Sequence, residues 1–448
     1  MAYRKIVLML IAVLVIVGGS HGLSLIRRAT SSPAPASISI GLDGPVSVPG
    51  MKTTDELIKF WQARFERDPR DFISLTFLGD AFIRKARETG DVSEYARADA
   101  TLQKALKLHP NYEVAQAYLS VVQYVKHDFL GALDLASQVY AAHPNAIQAL
   151  ATIGDAQLEL GRYTEAETTY KKLNEKSPSA PVYTRLARLA WLHGQPTEAL
   201  NWMQQAVTDS EEMDVSGENL AWYHFQFGEL YFNTGQLEKA DVQYAIALKA
   251  FDNYYLALAG RGKVRAAQGN YKEAITFYEK AVSIIPQPDL LAALGDLYAL
   301  TGDSVKAKQE YDTVEFIGKL EAINQVIYNR QLALFYANHN LNLEKSLTMA
   351  QKELDHRKDI YAYDTYAWAL YKNNRYSQAA EMMNHAMELG THDAMLYYHM
   401  GMIYRALGED KQAEQMLSQA LAINPHFDLM QAPIARSTLT DLYTQMKD

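Results

Sequence analysis

From Asp55 onward the chain repeats itself at a step near 34 residues, and each copy reads as two amphipathic helices. A small residue marks the first helix of the clearest copies: Gly154, Gly228, Gly262, Gly295 and Gly401, with Ala187 and Ala367 in the same place. Twelve residues later comes alanine, at Ala166, Ala240, Ala274, Ala307, Ala413, Ala199 and Ala379. Four further on stands a bulky residue, at Tyr170, Tyr244, Tyr278, Tyr311, Leu417, Met203 and Met383. Small side chains let two helices approach closely while a bulky one fills the space beside them, so the spacing predicts tightly packed antiparallel pairs. Gly161, Gly194, Gly235, Gly269, Gly302 and Gly408 follow the small residue by seven, where a left-handed C-cap ends the first helix.

The register starts with a half unit holding Leu57 and Trp61, and units follow near 72–110, 113–144, 147–178, 180–207, 221–252, 255–286, 288–317, 325–355, 360–391 and 394–425. Residues 89–94 enlarge the first turn, 208–219 form an acidic insertion, and 338–342 hold asparagines where a tight glycine turn belongs. Beyond Pro425, Ile434, Leu439, Leu442 and Met446 recur at helical spacing, which predicts a capping helix within 426–448.

These positions, with the pairs Leu78-Gly79 and Leu294-Gly295, the aromatics Tyr231, Tyr298 and Tyr404 three past the small residue, and the terminal prolines, resemble the tetratricopeptide repeat (TPR). The resemblance covers 53–425. It implies an all-α fold, a right-handed superhelical solenoid of about ten helix pairs plus the capping helix, with the first helices lining a concave wall. It also implies binding of a protein or peptide. One branch of the family grips a partner's terminal carboxylate with asparagine just after the small residue. Here that place holds Asp80, Asp155, Glu229, Lys263, Asp296 and Met402, so that mode is not expected.

The inward register positions nominate a binding wall in two aromatic patches. The first is Arg188, Trp191, Trp222, Phe225, Glu229 and Phe232, joined by Lys263. The second is Tyr361, Asp364, Trp368, Tyr371, Tyr398 and Arg405, joined by Met402. An acidic and aromatic wall predicts an extended client segment with apolar and basic side chains.

Ahead of the repeats the pattern changes. Arg4 and Lys5 precede an apolar run from Ile6 to Val17, then Gly18 to Gly22, Leu23 to Ile26, Arg27 and Arg28. Residues 1–28 thus read as an export signal, either cleaved ahead of Leu23 or kept as a membrane anchor over 6–26. Residues 29–52, rich in Ser, Pro and Gly, read as a flexible linker. The body is therefore expected outside the cytoplasm: periplasmic, secreted or on the cell surface. The form of the export segment and the lack of any N-x-[ST] acceptor point to a bacterial source.

With 48% hydrophobic and 21% charged residues the rest is a folded body. Net charge is −9, which disfavours nucleic acid as a partner, and the absence of cysteine excludes disulfides and thiol ligands. No cofactor or metal is expected. His385, His392 and His399 stand at steps of seven but on different elements, and Glu211 and Glu212 sit in a loop that reads as solvated. The expected function is a non-enzymatic interaction scaffold of the cell envelope. Two alternatives stand beside it: an envelope assembly factor holding a client, and an accessory or cryptic enzyme subunit with a site at 318–345 or His385 to His399.

Overall fold

The computed structural model describes residues 53–323 and 330–445, together with Val48 and Met51. The export segment, nearly all of the linker, 324–329 and Met446 lie outside the described residues. Helix α1 (Thr54–Arg67) opens the body. Ten helix pairs follow: α2 and α3 (Phe72–Thr89, Ser93–Leu108), α4 and α5 (Glu113–Val125, Phe129–Ala142), α6 and α7 (Ile147–Glu159, Tyr163–Lys176), α8 and α9 (Ala180–Leu192, Pro196–Glu212), α10 and α11 (Gly217–Asn233, Leu237–Ala250). The second half continues with α12 and α13 (Tyr255–Ala267, Tyr271–Ile284), α14 and α15 (Pro288–Leu300, Ser304–Ile323), α16 and α17 (Arg330–Asn338, Leu343–His356), α18 and α19 (Ile360–Lys372, Tyr376–Ala386), α20 and α21 (Ala394–Leu407, Asp410–Ile423). Helix α22 (Gln431–Gln445) covers the end with Ala432, Ala435 and Leu442 buried. No strand occurs among the described residues, and no helix there is long and apolar enough to cross a membrane.

The pair geometry follows from the small residues. A Cβ on Gly154 would lie 2.4 Å from Tyr170 Cε1, on Gly295 2.4 Å from Tyr311 Cε1, and on Gly401 2.7 Å from Leu417 Cγ. The bulky residue of each second helix thus rests on bare backbone of the first. Left-handed turn residues end the first helices, at φ 75° for Gly161 and 89° for Gly302, and His127, Asn340 and Asn374 take the same conformation where glycine is missing. The acidic insertion departs from expectation. Residues up to Glu212 prolong α9, Ser210 is buried, and the Asp209 carboxylate accepts from the Ala180 amide at 2.7 Å, capping α8. Glu211 and Glu212 are accordingly helical residues on an exposed face.

The superhelix winds tightly enough for its two turns to touch. The Tyr163 hydroxyl accepts from the Ile360 amide at 2.7 Å, Thr391 donates to the Leu192 carbonyl, and Asn424 Nδ2 donates to the Phe232 carbonyl at 2.8 Å. These partners stand 192 to 199 residues apart, roughly six steps of the repeat. The contacts share one pattern, in which a turn between paired helices of the first half meets a loop between pairs of the second. A Cβ on Gly161 would fall 2.2 Å from the Lys358 carbonyl oxygen, and one on Gly194 2.2 Å from that of Gly390.

Charge holds the middle of this seam. Arg357 contacts Glu159 across it and reaches Asp359 at 2.8 Å, Arg330 pairs with Glu353 at 2.7 Å and Asp359 at 2.8 Å, and Arg188 meets Glu159 at 2.6 Å. Three guanidinium groups face three carboxylates. Burial alone would raise the Asp359 carboxyl, but Arg330 and Arg357 outweigh it and hold it below the usual range.

Candidate binding wall on the inner face

One step past the small residue, five successive first helices in the middle of the array carry Asp155, Arg188, Glu229, Lys263 and Asp296, so signs alternate there, while Trp368 and Met402 take that place near the end. One rung joins two members of this series, Lys263 and Glu229, and the other carboxylates draw basic partners from outside it. Arg185 forks onto Asp155 at 2.8 and 2.7 Å, Lys263 meets Glu229 at 2.7 Å, and His339 meets Asp296 at 2.8 Å. The bulky tyrosine of the same pair closes each carboxylate from behind: Tyr170 donates to Asp155 at 2.8 Å, Tyr244 to Glu229 at 2.5 Å and Tyr311 to Asp296 at 2.7 Å. The phenol that packs on the glycine therefore also positions the acid.

This pairing changes the expected acidity of the wall, because most of its carboxylates already hold a cation from the adjacent first helix. Asp289, Asp393 and Asp428, near the same wall, stand outside these pairs. Partial burial raises the Asp393 and Asp428 carboxyls, and the neighbouring charges of Asp364 and Asp296 raise them further.

The nominated residues divide by exposure. Arg188 is exposed, and Trp222, Phe225, Glu229, Tyr361, Tyr371 and Arg405 are half-buried. Trp191, Phe232, Asp364, Trp368 and Tyr398 are buried, contrary to their expected place on an open wall. Crowding at the inner radius explains it. Trp368, 1% exposed, stacks on His399 at 4.0 Å and on Tyr371 at 4.7 Å, and its indole N–H donates to Asn338 at 2.7 Å. Tyr398 lies between Trp368 and Phe427, and Phe232 lies under the Lys263 ammonium at 4.4 Å. Asp364 pairs with His399 Nδ1 at 2.7 Å. For Trp191 the cause is the second turn, since its indole N–H donates at 3.3 Å to the Tyr361 hydroxyl, which itself donates to Asp393.

Other members of the wall are satisfied but reachable. Arg405 bonds Asp410 and, at 2.7 Å, Gln445 of the capping helix. Phe225 faces Tyr244 and Tyr254 at 6.0 and 6.2 Å, and Met402 and Lys263 are half-buried. The three histidines at steps of seven go to separate surroundings: His385 stacks on Tyr363, His392 meets Tyr397 edge-on, and His399 packs against Trp368. Of the alternative site at 318–345, residues 324–329 lie outside the described residues. Arg185, His339 and Arg357 were not among the nominated residues. The alternating signs past the small residue signal the Lys263 to Glu229 pair, whereas no sequence signal pairs Arg185 with Asp155, His339 with Asp296 or Arg357 with Glu159.

Three stretches match models of the tetratricopeptide repeat, at residues 126–189, 225–289 and 395–427. Among curated proteins, a TPR repeat-containing protein, YpiA of Bacillus subtilis (strain 168), is 24% identical over 383 residues, covering 76% of this chain and 86% of the relative. The TPR repeat-containing protein MJ1428 of Methanocaldococcus jannaschii is 23% identical over 362 residues, covering 75% and 62%. Among solved structures, yeast Tom70 aligns with 88% of this chain and 93% of its own at a TM-score of 0.33 and 13% identity. Tetratricopeptide repeats are thus found in the chain, in three stretches of its helix pairs.

Proposed function

We propose that the chain is a non-enzymatic scaffold of a bacterial cell envelope that holds an extended protein segment against its inner face, at Trp222 and Phe225 in the first patch and Tyr361 and Tyr371 in the second. The observation that carries this reading is the half-exposure of aromatic rings whose core roles are filled by others. Tyr244 fills the space over Gly228 while Ala240 is fully buried, and Trp222 and Phe225 pack on the edge of this core with part of each ring left exposed. Such rings lose little entropy on contact and offer large area to a client. The paired carboxylates make apolar contact the main term, and Asp289, Asp393 and Asp428 favour a basic side chain beside it. The TPR-named relatives support an interaction role without naming a client. An extracytoplasmic body, tethered or released according to the fate of residues 6–26, completes the reading.

The test is a photo-reactive amino acid at Phe225 in the native host, with Trp222→Ala as the companion. A discrete cross-linked client that is lost in Trp222→Ala, while the variant keeps its fold, supports the reading. Cross-linking that is absent, or unchanged in Trp222→Ala, contradicts it. A reporter enzyme that acts only after export, fused after Lys52, separately tests the location: activity supports export, and inactivity contradicts it.

A further inference from the structure

The seam between the two turns of the superhelix uses one edge of each. Turns of the first half at Gly90, Gly161, Gly194 and Gly235 lie against Ile285, Lys358, Gly390 and Ile423. The matching edges on the outside are bare. Nothing lies within 4 Å of a Cβ placed on Gly269, Gly302 or Gly408, and all three are exposed, as are Asn340 and Asn374. At three first-half turns the residue two past the turn shows the same contrast, although Val92, two past Gly90, is 75% exposed. Phe129, Tyr163 and Leu237 are 4%, 7% and 8% exposed in the first turn of the superhelix, whereas Tyr271 in the second is 36% exposed. At the opposite end, the first-half loops at 68–71, 109–112, 143–146 and 177–179 expose Arg70, Asn111, Asn145 and Pro178.

We infer that the bare turns of the second half dock on the bare loops of the first half in another copy of this chain, head to tail, repeating between molecules the seam formed within one. This inference does not depend on what the inner wall holds. Three observations carry it. The first is length: the described body, from Thr53 to Gln445, is close to twice the 192 to 199 residues that separate partners across the seam. A copy that continues the winding where the first ends therefore falls into register. Gly269, Gly302, Asn340 and Asn374 then face its loops 68–71, 109–112, 143–146 and 177–179.

The second is chemistry. Within the chain the seam is bonded by loop side chains that donate to the last carbonyls of first helices, Thr391 to Leu192 and Asn424 to Phe232. The bare loops carry donors of the same kind, Asn111 and Asn145, beside His109 and His143. The bare turns offer the end carbonyls that such donors require. The third is shape. A cleft of about 320 Å³ opens between the starts of α4 and α6, lined by Val114, Tyr118, His143, Asn145 and Ile147, at the loop that register assigns to the Asn340 turn. Because the two docking edges differ, the contact is heterologous and does not close on itself, so copies add to a growing stack.

The chain has no cysteine, so a pair introduced into the full-length protein reports the contact directly. Ser304→Cys and Asn111→Cys are placed together in one chain, at the turn and the loop that register brings face to face. Arg162→Cys with Lys358→Cys, across the internal seam, serves as the bridge that must form under the same mild oxidation. The expected result is a ladder of covalent dimers, trimers and longer species that grows with protein concentration, while either single variant stays monomeric. Two results overturn the inference. One is a double variant that stays monomeric while the internal bridge forms. The other is covalent dimerisation of Ser304→Cys alone, which would mean that like edges meet.

Discussion

Trp368 and Trp222 occupy inward places of their first helices, yet their surroundings differ, and so must the consequences of removing them. Trp368 is stacked on both sides and hydrogen-bonded, so Trp368→Ala should cost about 3–5 kcal/mol of stability in chemical denaturation. Trp222→Ala, at a half-exposed ring, should cost clearly less under the same conditions. Register places both on the inner side of their helices. It does not reveal that His399 and Tyr371 close over one of them, because that depends on the curvature built by many pairs. The small and bulky core positions were legible for the opposite reason. Gly154 and Tyr170 meet within one pair, and a fixed spacing encodes the contact. His339 shows the electrostatic side of the same scale. Burial lowers its imidazole pKa, but the hydrogen bond and charge of Asp296 outweigh burial and leave it raised. A raised folded-state value stabilises below the unfolded pKa of about 6.5, and the gain is lost as pH rises through the folded value. His339→Gln should therefore remove a loss of stability that the parent shows above about pH 6.5. Parallel curves for parent and variant across that range would contradict the pairing.

Among the elements, the turns separate local from distant requirements. Gly161 and Gly269 have nearly the same conformation, at φ 75° and 79°, so alanine should impose similar backbone strain of roughly 1 kcal/mol at each. Only at Gly161 does the new Cβ also meet the Lys358 backbone. Measured on dilute monomer, Gly161→Ala should thus lower the melting temperature well beyond Gly269→Ala, and equal effects there would show that the seam does not form. The left-handed turn itself was legible from the period, and Asn340 and Asn374 adopt it without glycine because asparagine tolerates that region. The prolonged α9 was not. An acidic stretch with a Ser between charges reads as loop, whereas the Ala180 amide capped by Asp209 and the burial of Val207 and Ser210 keep the segment helical.

At the scale of the whole molecule, the seam sets this chain apart from a solenoid in which each repeat touches only its neighbours. A repeat motif describes one pair and the next. The pitch that brings Ile360 onto Tyr163 is the sum of small rotations over roughly six steps, and no single position specifies it. The fold class and the pairs were therefore readable from the sequence, while the closed winding, the buried part of the wall and the Arg357 to Glu159 contact emerge only when the turns are in place. A distance measured across the seam decides whether the two turns touch. Spin labels at Arg162→Cys and Lys358→Cys can be attached without competition, since the chain has no cysteine of its own. Touching turns should give one narrow, short distance, set by the labels themselves. An open solenoid would separate these sites by on the order of tens of ångströms, given helix spacings of about 8–10 Å, and a distribution centred there would contradict the contact.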